Sequence, residues 1–285
     1  MSEQKTKLVE VPGGIIPERD AGQPPVLEVR HLGIDFGGLT AVDDFDFVIG
    51  KDEIGGLIGP NGAGKTTVFN LLTNVYQPTR GHILLGGVDT RGKKTYEVNK
   101  LGIARTFQNI RLFKTLTVLD NVLIGMHNGM EYKMGTSVLR LPAYWKQEKE
   151  AKQEALSLLS IFDMQDLADV HAGNLPYGAQ RRLEIVRALA TKPKILLLDE
   201  PAAGMNPSET AELMENIRRI RDRFGIAVIL IEHDMNLVMN ICEGIAVLNY
   251  GRIIAKGTPE EIRKNPLVIE AYLGKKGGAA DAESR

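Results

Sequence analysis

Gly59-Pro60-Asn61-Gly62-Ala63-Gly64-Lys65-Thr66-Thr67 is the stretch that decides how this chain folds. It fits the pattern G-x-x-x-x-G-K-[ST]. It follows the apolar run Ile54-Gly55-Gly56-Leu57-Ile58 and precedes residues Thr67 to Thr73, which read as helix. Glycines let a backbone curl so that successive N–H groups point inward at an anion. A helix starting there turns its positive end on the same charge. Gly59, Pro60, Asn61, Gly62, Ala63 and Gly64 therefore read as a phosphate cradle. Lys65 can reach the β- and γ-phosphates of a nucleoside triphosphate, Thr66 can hold Mg²⁺, and Thr67 can touch the α-phosphate.

Composition narrows what such a nucleotide could serve. The 285 residues are 43% hydrophobic and 25% charged, which is the make-up of a globular chain with enough length for a full core. Lys and Arg number 35 against 36 Asp and Glu, so no strong positive field exists to attract nucleic acid. The single cysteine, Cys242, cannot form an internal disulfide and reads as a small buried apolar residue. No apolar run approaches the roughly 18 residues of a membrane span. Met1 to Pro25 is polar, without a signal-peptide apolar core. The expectation is a cytoplasmic chain whose membrane role, if it has one, comes through partners.

Outward from the cradle, residues 1–24 read as a flexible leader broken by Pro12, Gly13, Gly14, Pro17, Gly22 and Pro24. The folded domain spans 25–274, and the Gly/Ala/charge-rich residues 275–285 read as a disordered tail. Leu27 and Val29, then Ile34 and Phe36, then Phe45, Phe47 and Ile49 alternate as half-buried strands do, with a further strand at His82 to Leu85. These predict a small antiparallel sheet. Ile54–Ile58, Ile195–Leu198, Ala227–Ile231 and Ile245–Leu248 read as buried parallel strands, with a fifth through Ile103 to Thr106. Residues 117–190 carry helical patterning only, which predicts an inserted helical lobe. Within it, Asn128 to Trp145 reads either as a docking surface or as a packed connecting arm. Asn206, Pro207 and Glu209 open a further helix that Gly225 closes.

The run Ile195-Leu196-Leu197-Leu198-Asp199-Glu200 is a buried strand ending in two acids. Asp199 suits Mg²⁺ and its waters. Glu200, one residue further out, suits a general base acting on an attacking water.

Together these segments resemble the ATP-binding-cassette (ABC) ATPases that drive membrane transporters, over essentially Val26 to Gly274. The resemblance implies an α/β P-loop NTPase fold: a RecA-like mixed-sheet core, an antiparallel β subdomain and an inserted α-helical subdomain. It also implies ATP and Mg²⁺ as ligands. Thr106-Phe107-Gln108 is similar to that family's glutamine loop, which would place Gln108 near Mg²⁺ or the attacking water. Leu175-Pro176-Tyr177-Gly178-Ala179-Gln180 resembles the signature segment, so Tyr177, Gly178, Ala179 and Gln180 would face the nucleotide of a partner ATPase. Ile231-Glu232-His233-Asp234 resembles the switch loop, with His233 on the γ-phosphate. Phe36 matches the position whose ring stacks on adenine. His31, His82, His127 and His171 lack such context and read as structural.

Two departures stand out. Pro176 stands where the family usually has the signature serine, and Asn206 where it usually has aspartate. Proline offers neither a hydroxyl nor an N–H, so one contact to the partner's nucleotide is missing. Leu-Pro-Tyr-Gly, Arg-Arg-Leu-Glu-Ile, Ala-Ala-Gly-Met-Asn-Pro and Phe-Gln-Asn-Ile-Arg-Leu-Phe resemble the ATPase subunit of branched-chain amino acid importers, the LivG type. The implied partners are a second ABC ATPase subunit, as homodimer or heterodimer, two membrane permeases and, indirectly, a periplasmic or extracellular substrate-binding protein. The implied place is the cytoplasmic face of the membrane, as a peripheral subunit. The alternative readings are an importer for another small polar solute such as urea, or a soluble non-transport ABC ATPase.

Overall fold

The computed structural model describes residues 8–9, 14–15, 19–20, 24–129 and 142–273. In chain order its elements begin with strands β1 (Leu8–Val9), β2 (Arg19–Asp20), β3 (Leu27–Phe36), β4 (Leu39–Ile49) and β5 (Ile54–Ile58). Helix α1 (Lys65–Leu72) follows, then β6 (Arg80–Leu85), β7 (Val88–Asp89), α2 (Thr95–Leu101) and β8 (Ile103–Arg105). Next come α3 (Val118–Met126), α4 (Pro142–Leu159), α5 (Tyr177–Leu189), β9 (Ile195–Asp199), α6 (Pro207–Phe224) and β10 (Ala227–Ile231). The described chain closes with α7 (Met235–Ile241), β11 (Gly244–Asn249), β12 (Arg252–Gly257), α8 (Pro259–Lys264) and α9 (Pro266–Leu273). Two compact units result: Met1–Gly92 with Ile231–Arg285, and Lys93–Leu230.

In the first unit, β3 pairs antiparallel with both β4 and β6, and β6 with β7, giving the order β4-β3-β6-β7. Val29 stands opposite Phe47 on one side and Ile83 on the other, so the alternating apolar residues meet on one face. The two alternating runs expected between Leu27 and Phe36 are one continuous strand. Its register shifts between Val29 and Ile34, where His31 takes φ +48°. β11 runs parallel to β5 and antiparallel to β12. Every residue of β5 is buried. Its glycines admit close neighbours: a Cβ on Gly55 would lie 2.2 Å from the Ile15 side chain, and one on Gly56 would lie 3.1 Å from the Cys242 sulfur.

Within the stretch read as a flexible leader, the described residues make defined contacts. Ile15 is buried at 1% exposure, Gly14 bridges to Val48, and β1 pairs antiparallel with β2. An isoleucine pair among prolines and glycines has no periodicity to read, although Ile15 can still anchor a segment by burial. The expected tail, 275–285, lies outside the described residues.

In the second unit β8 runs parallel to β9, in the order β10-β9-β8, and β9 is wholly buried. Between β8 and β9 the described residues form helices and short 3₁₀ turns but no strand. Val118 and Val122 share the buried face of α3; Ala151, Ala155, Leu158 and Leu159 share that of α4. Thr117 starts α3 with a reciprocal capping box to Asp120. The same device starts α6, where Asn206 and Glu209 cap each other and Gly225 closes the helix at φ +59°. Most of the Asn128 to Trp145 stretch, residues 130–141, lies outside the described residues.

Candidate functional site

The first unit carries the phosphate cradle. Gly64 takes φ +105° and is the N-cap of α1, so the helix starts at Lys65, two residues before the expected Thr67. Lys65, Thr66 and Thr67 therefore form its first turn, where N–H groups lack intrahelical partners. Lys65 is 7% exposed, and its Nζ donates to the carbonyls of Gly59 at 2.6 Å and Pro60 at 3.0 Å. The loop is braced from behind. Gly251 N–H donates to Ala63 O at 2.9 Å, and a Cβ on Gly59 would lie 2.0 Å from Leu248 O. A Cβ on Gly62 would meet nothing within 4 Å. The cradle is thus tight against β11 and open at Gly62, which fits an anion arriving from outside.

Around it the same unit presents further groups. Phe36 is 42% exposed and makes an edge contact with Tyr76, ring centroids 5.3 Å apart. An exposed ring pair is a ready apolar platform for a flat heterocycle. His233 is exposed, and its N–H donates to Glu232 Oε2 at 3.2 Å, while Asp234 caps α7 through the Asn236 and Leu237 N–H groups. A hollow of about 460 Å³ lies between Pro60–Ala63 and Leu267, Glu270 and Ala271 of α9. Burial pushes the Tyr272 phenol up, against a hydrogen bond from the Gly59 backbone.

The second unit holds the acids. Asp199 is buried and accepts from Arg105 Nη2 at 2.7 Å, both side chains at most 5% exposed. Its N–H donates to Thr106 Oγ1 at 3.3 Å. Glu200 takes φ +49°, a conformation costly for a non-glycine residue and frequent at functional sites. Gln108 Nε2 donates to Glu200 Oε2 at 2.8 Å. Gln108 and Glu200 are therefore brought together beside Asp199. As oxygen donors, the Thr66 hydroxyl, the Gln108 amide oxygen and the Asp199 carboxylate have the hard chemistry that Mg²⁺ takes.

The signature segment opens α5. Pro176 is its N-cap, without a side-chain cap bond. Tyr177 is half-exposed and lies over Gly204, where a Cβ would stand 3.1 Å from its ring; Gly178 and Ala179 are buried, and Gln180 donates to Leu175 O at 2.8 Å. A second hollow, of about 380 Å³, is lined by Arg105, Phe107, Arg111, Phe113, Ile124 and Arg187 among others.

Comparison with known proteins follows the same residues. The family model for ABC transporters matches 42–203, more than half of the chain. The chain belongs to the ABC transporter family. A second model, of branched-chain amino acid ATP-binding cassette transporters, matches this cassette at 252–277. The cassette is 47% identical over 250 residues to the high-affinity branched-chain amino acid transport ATP-binding protein BraF of Pseudomonas aeruginosa, covering 88% of this chain and 98% of that one. LivG of Escherichia coli K12 matches at the same identity and coverage. A nucleotide-free ATP-binding cassette from an ABC transporter superposes with a TM-score of 0.77 at 31% identity, covering 88% of this chain and 100% of that one. The α/β P-loop NTPase fold expected from the motifs is therefore the fold of this ABC ATPase.

Sequence reasoning missed three groups in this cassette. Arg105 follows two apolar strand residues, and a buried guanidinium needs an acid partner, a demand that the chain shows without naming Asp199. Tyr76 and Tyr272 carried no pattern that marked them.

Proposed function

We propose that this chain is the ATP-binding subunit of an importer, and that it hydrolyses ATP to drive uptake of branched-chain amino acids through membrane permeases. The observation that carries the reading is the 47% identity to two branched-chain transport ATP-binding proteins over 88% of the chain, with the matching C-terminal model.

In this reading Phe36 stacks on the base, residues 59–67 hold the phosphates, and Lys65 pairs with the β- and γ-oxygens. Thr66, Gln108 and Asp199 would hold Mg²⁺, which would neutralise charge on the phosphates. Glu200 takes the proton of the attacking water, and His233 donates to the γ-phosphate in the transition state. Tyr177, Gly178, Ala179 and Gln180 serve the nucleotide of a partner ATPase, where backbone N–H groups replace the contact that Pro176 lacks. The partner ATPase, two permeases and a substrate-binding protein complete the transporter, with this subunit peripheral at the cytoplasmic face. No helix among the described residues is long and apolar enough to cross a membrane. The hollow beside Phe113 and Ile124, half-exposed apolar groups flanked by Arg111 and Arg187, suits a permease segment of mixed apolar and acidic character.

The test is phosphate release by the complex in proteoliposomes with its permeases and binding protein. Leucine, isoleucine or valine should stimulate hydrolysis and accumulate inside. Stimulation by urea alone would overturn the cargo, and no ATP turnover at all would overturn the enzyme.

A further inference from the structure

Gln108 sits on a stretch, Phe107 to Phe113, that belongs to no helix or strand. Side chains from two helices hold that stretch. Arg181 of α5 is 1% exposed and donates from Nη1 to the Phe107 carbonyl and from Nη2 to the Gln108 carbonyl. Glu184, one turn further, ion-pairs with Arg181 Nη1 at 3.2 Å and accepts the Arg111 N–H at 3.2 Å through its other oxygen. Asn121 of α3, fully buried, receives the Phe113 N–H at 3.0 Å and donates to the Phe113 carbonyl at 3.1 Å. The Phe107 ring is in turn covered by the Arg111 guanidinium at 4.1 Å.

A buried ion pair is a costly way to fill space, because apolar residues of the same volume avoid the desolvation. Burial does hold the Glu184 carboxyl above its usual range. What apolar residues could not supply is a planar fork on two consecutive carbonyls and an acceptor for a third residue's N–H. Those bonds dictate where the Gln108 backbone lies relative to α5.

We propose that Arg181 and Glu184 are positioning residues that fasten the Gln108 stretch to α5, so that α5 sets whether Gln108 holds Glu200. In this structure the Gln108 amide occupies Glu200 Oε2 at 2.8 Å. That bond turns the Glu200 carboxylate toward the amide. A shift of α5 carries the stretch with it, and so moves the amide off or onto Glu200. The clamp thus regulates the same site, and it rests on the ATPase reading above.

The test uses the whole complex and two readouts: amide hydrogen exchange at residues 107–111, and ATP turnover with and without permease stimulation. Arg181→Lys keeps the charge and loses the fork; Glu184→Gln keeps the shape and loses the charge. Losing one charge-assisted bond is expected to raise exchange at 107–111 about tenfold. The KM for ATP should stay within about twofold, while permease-stimulated kcat falls about tenfold and unstimulated kcat by less than about threefold. Should Arg181→Lys not fold, Glu184→Gln carries the same measurements. Unchanged exchange, or KM and both kcat values moving together, overturns the clamp. A wild-type complex without ATP turnover overturns the ATPase reading instead, and exchange alone then decides the clamp.

Discussion

Adding one methyl group to the phosphate cradle at two different glycines separates its braced side from its open side. A Cβ at Gly59 would stand 2.0 Å from Leu248 O, a backbone atom of a fully buried strand residue that cannot step aside. Ordinary contact begins at 3.4 Å, so the loop must shift by more than an ångström. Overpacking of this kind costs roughly 1–3 kcal/mol. A catalytic geometry displaced by about 1 Å loses about a hundredfold in rate. At Gly62 the space is open, and the only cost is a side chain at φ +79°. That costs about 1–2 kcal/mol, offset by about 0.4–1 kcal/mol from the stiffer unfolded chain. Gly59→Ala should therefore lower the urea midpoint clearly and weaken binding of a fluorescent ATP analogue by an order of magnitude or more. Gly62→Ala should shift the midpoint by the equivalent of at most about 1.6 kcal/mol. Wild-type nucleotide binding by Gly59→Ala would refute the claim that β11 braces the loop.

Three further outcomes are expected. Glu200→Gln should bind ATP as the wild type does and release phosphate about 10²–10⁴-fold more slowly; near-normal steady-state release would remove Glu200 as the base. Asn206→Ala removes the oxygen that accepts the Glu209 N–H at 3.0 Å and should cost about 1 kcal/mol in chemical denaturation, whereas Asn206→Asp should be close to neutral. Asp43 is held below its usual range by hydrogen bonds from Arg80 and then Arg252. A lowered folded pKa means its contribution is present above the unfolded value near 3.8 and is lost as pH falls through the folded value. The stability gap between wild type and Asp43→Asn should therefore close as an acid titration passes below pH 3.8, and a gap that widens there would contradict the ion pair.

Much of this cassette was legible from the chain alone because its signals are local. A curled loop needs glycine at positive φ, a helix needs its cap within three residues, and a buried strand needs an unbroken apolar run. Hence the cradle, the α6 caps and the strands at Ile54, Ile195 and Ile245 could be read directly. Even there, Gly64 in its left-handed conformation started α1 two residues early, a boundary that only backbone angles define.

What tertiary structure alone decided are partnerships between residues far apart in sequence. Arg105 finds Asp199 across 94 positions, and Arg181 reaches back 74 positions to the Phe107 carbonyl. Ile15 plugs the gap that Gly55 leaves. No period or motif encodes such meetings, since burial makes each polar group demand a partner while leaving open which one. The sequence determined the chemistry available to this protein; the packing of helices against strands chose which atoms share it.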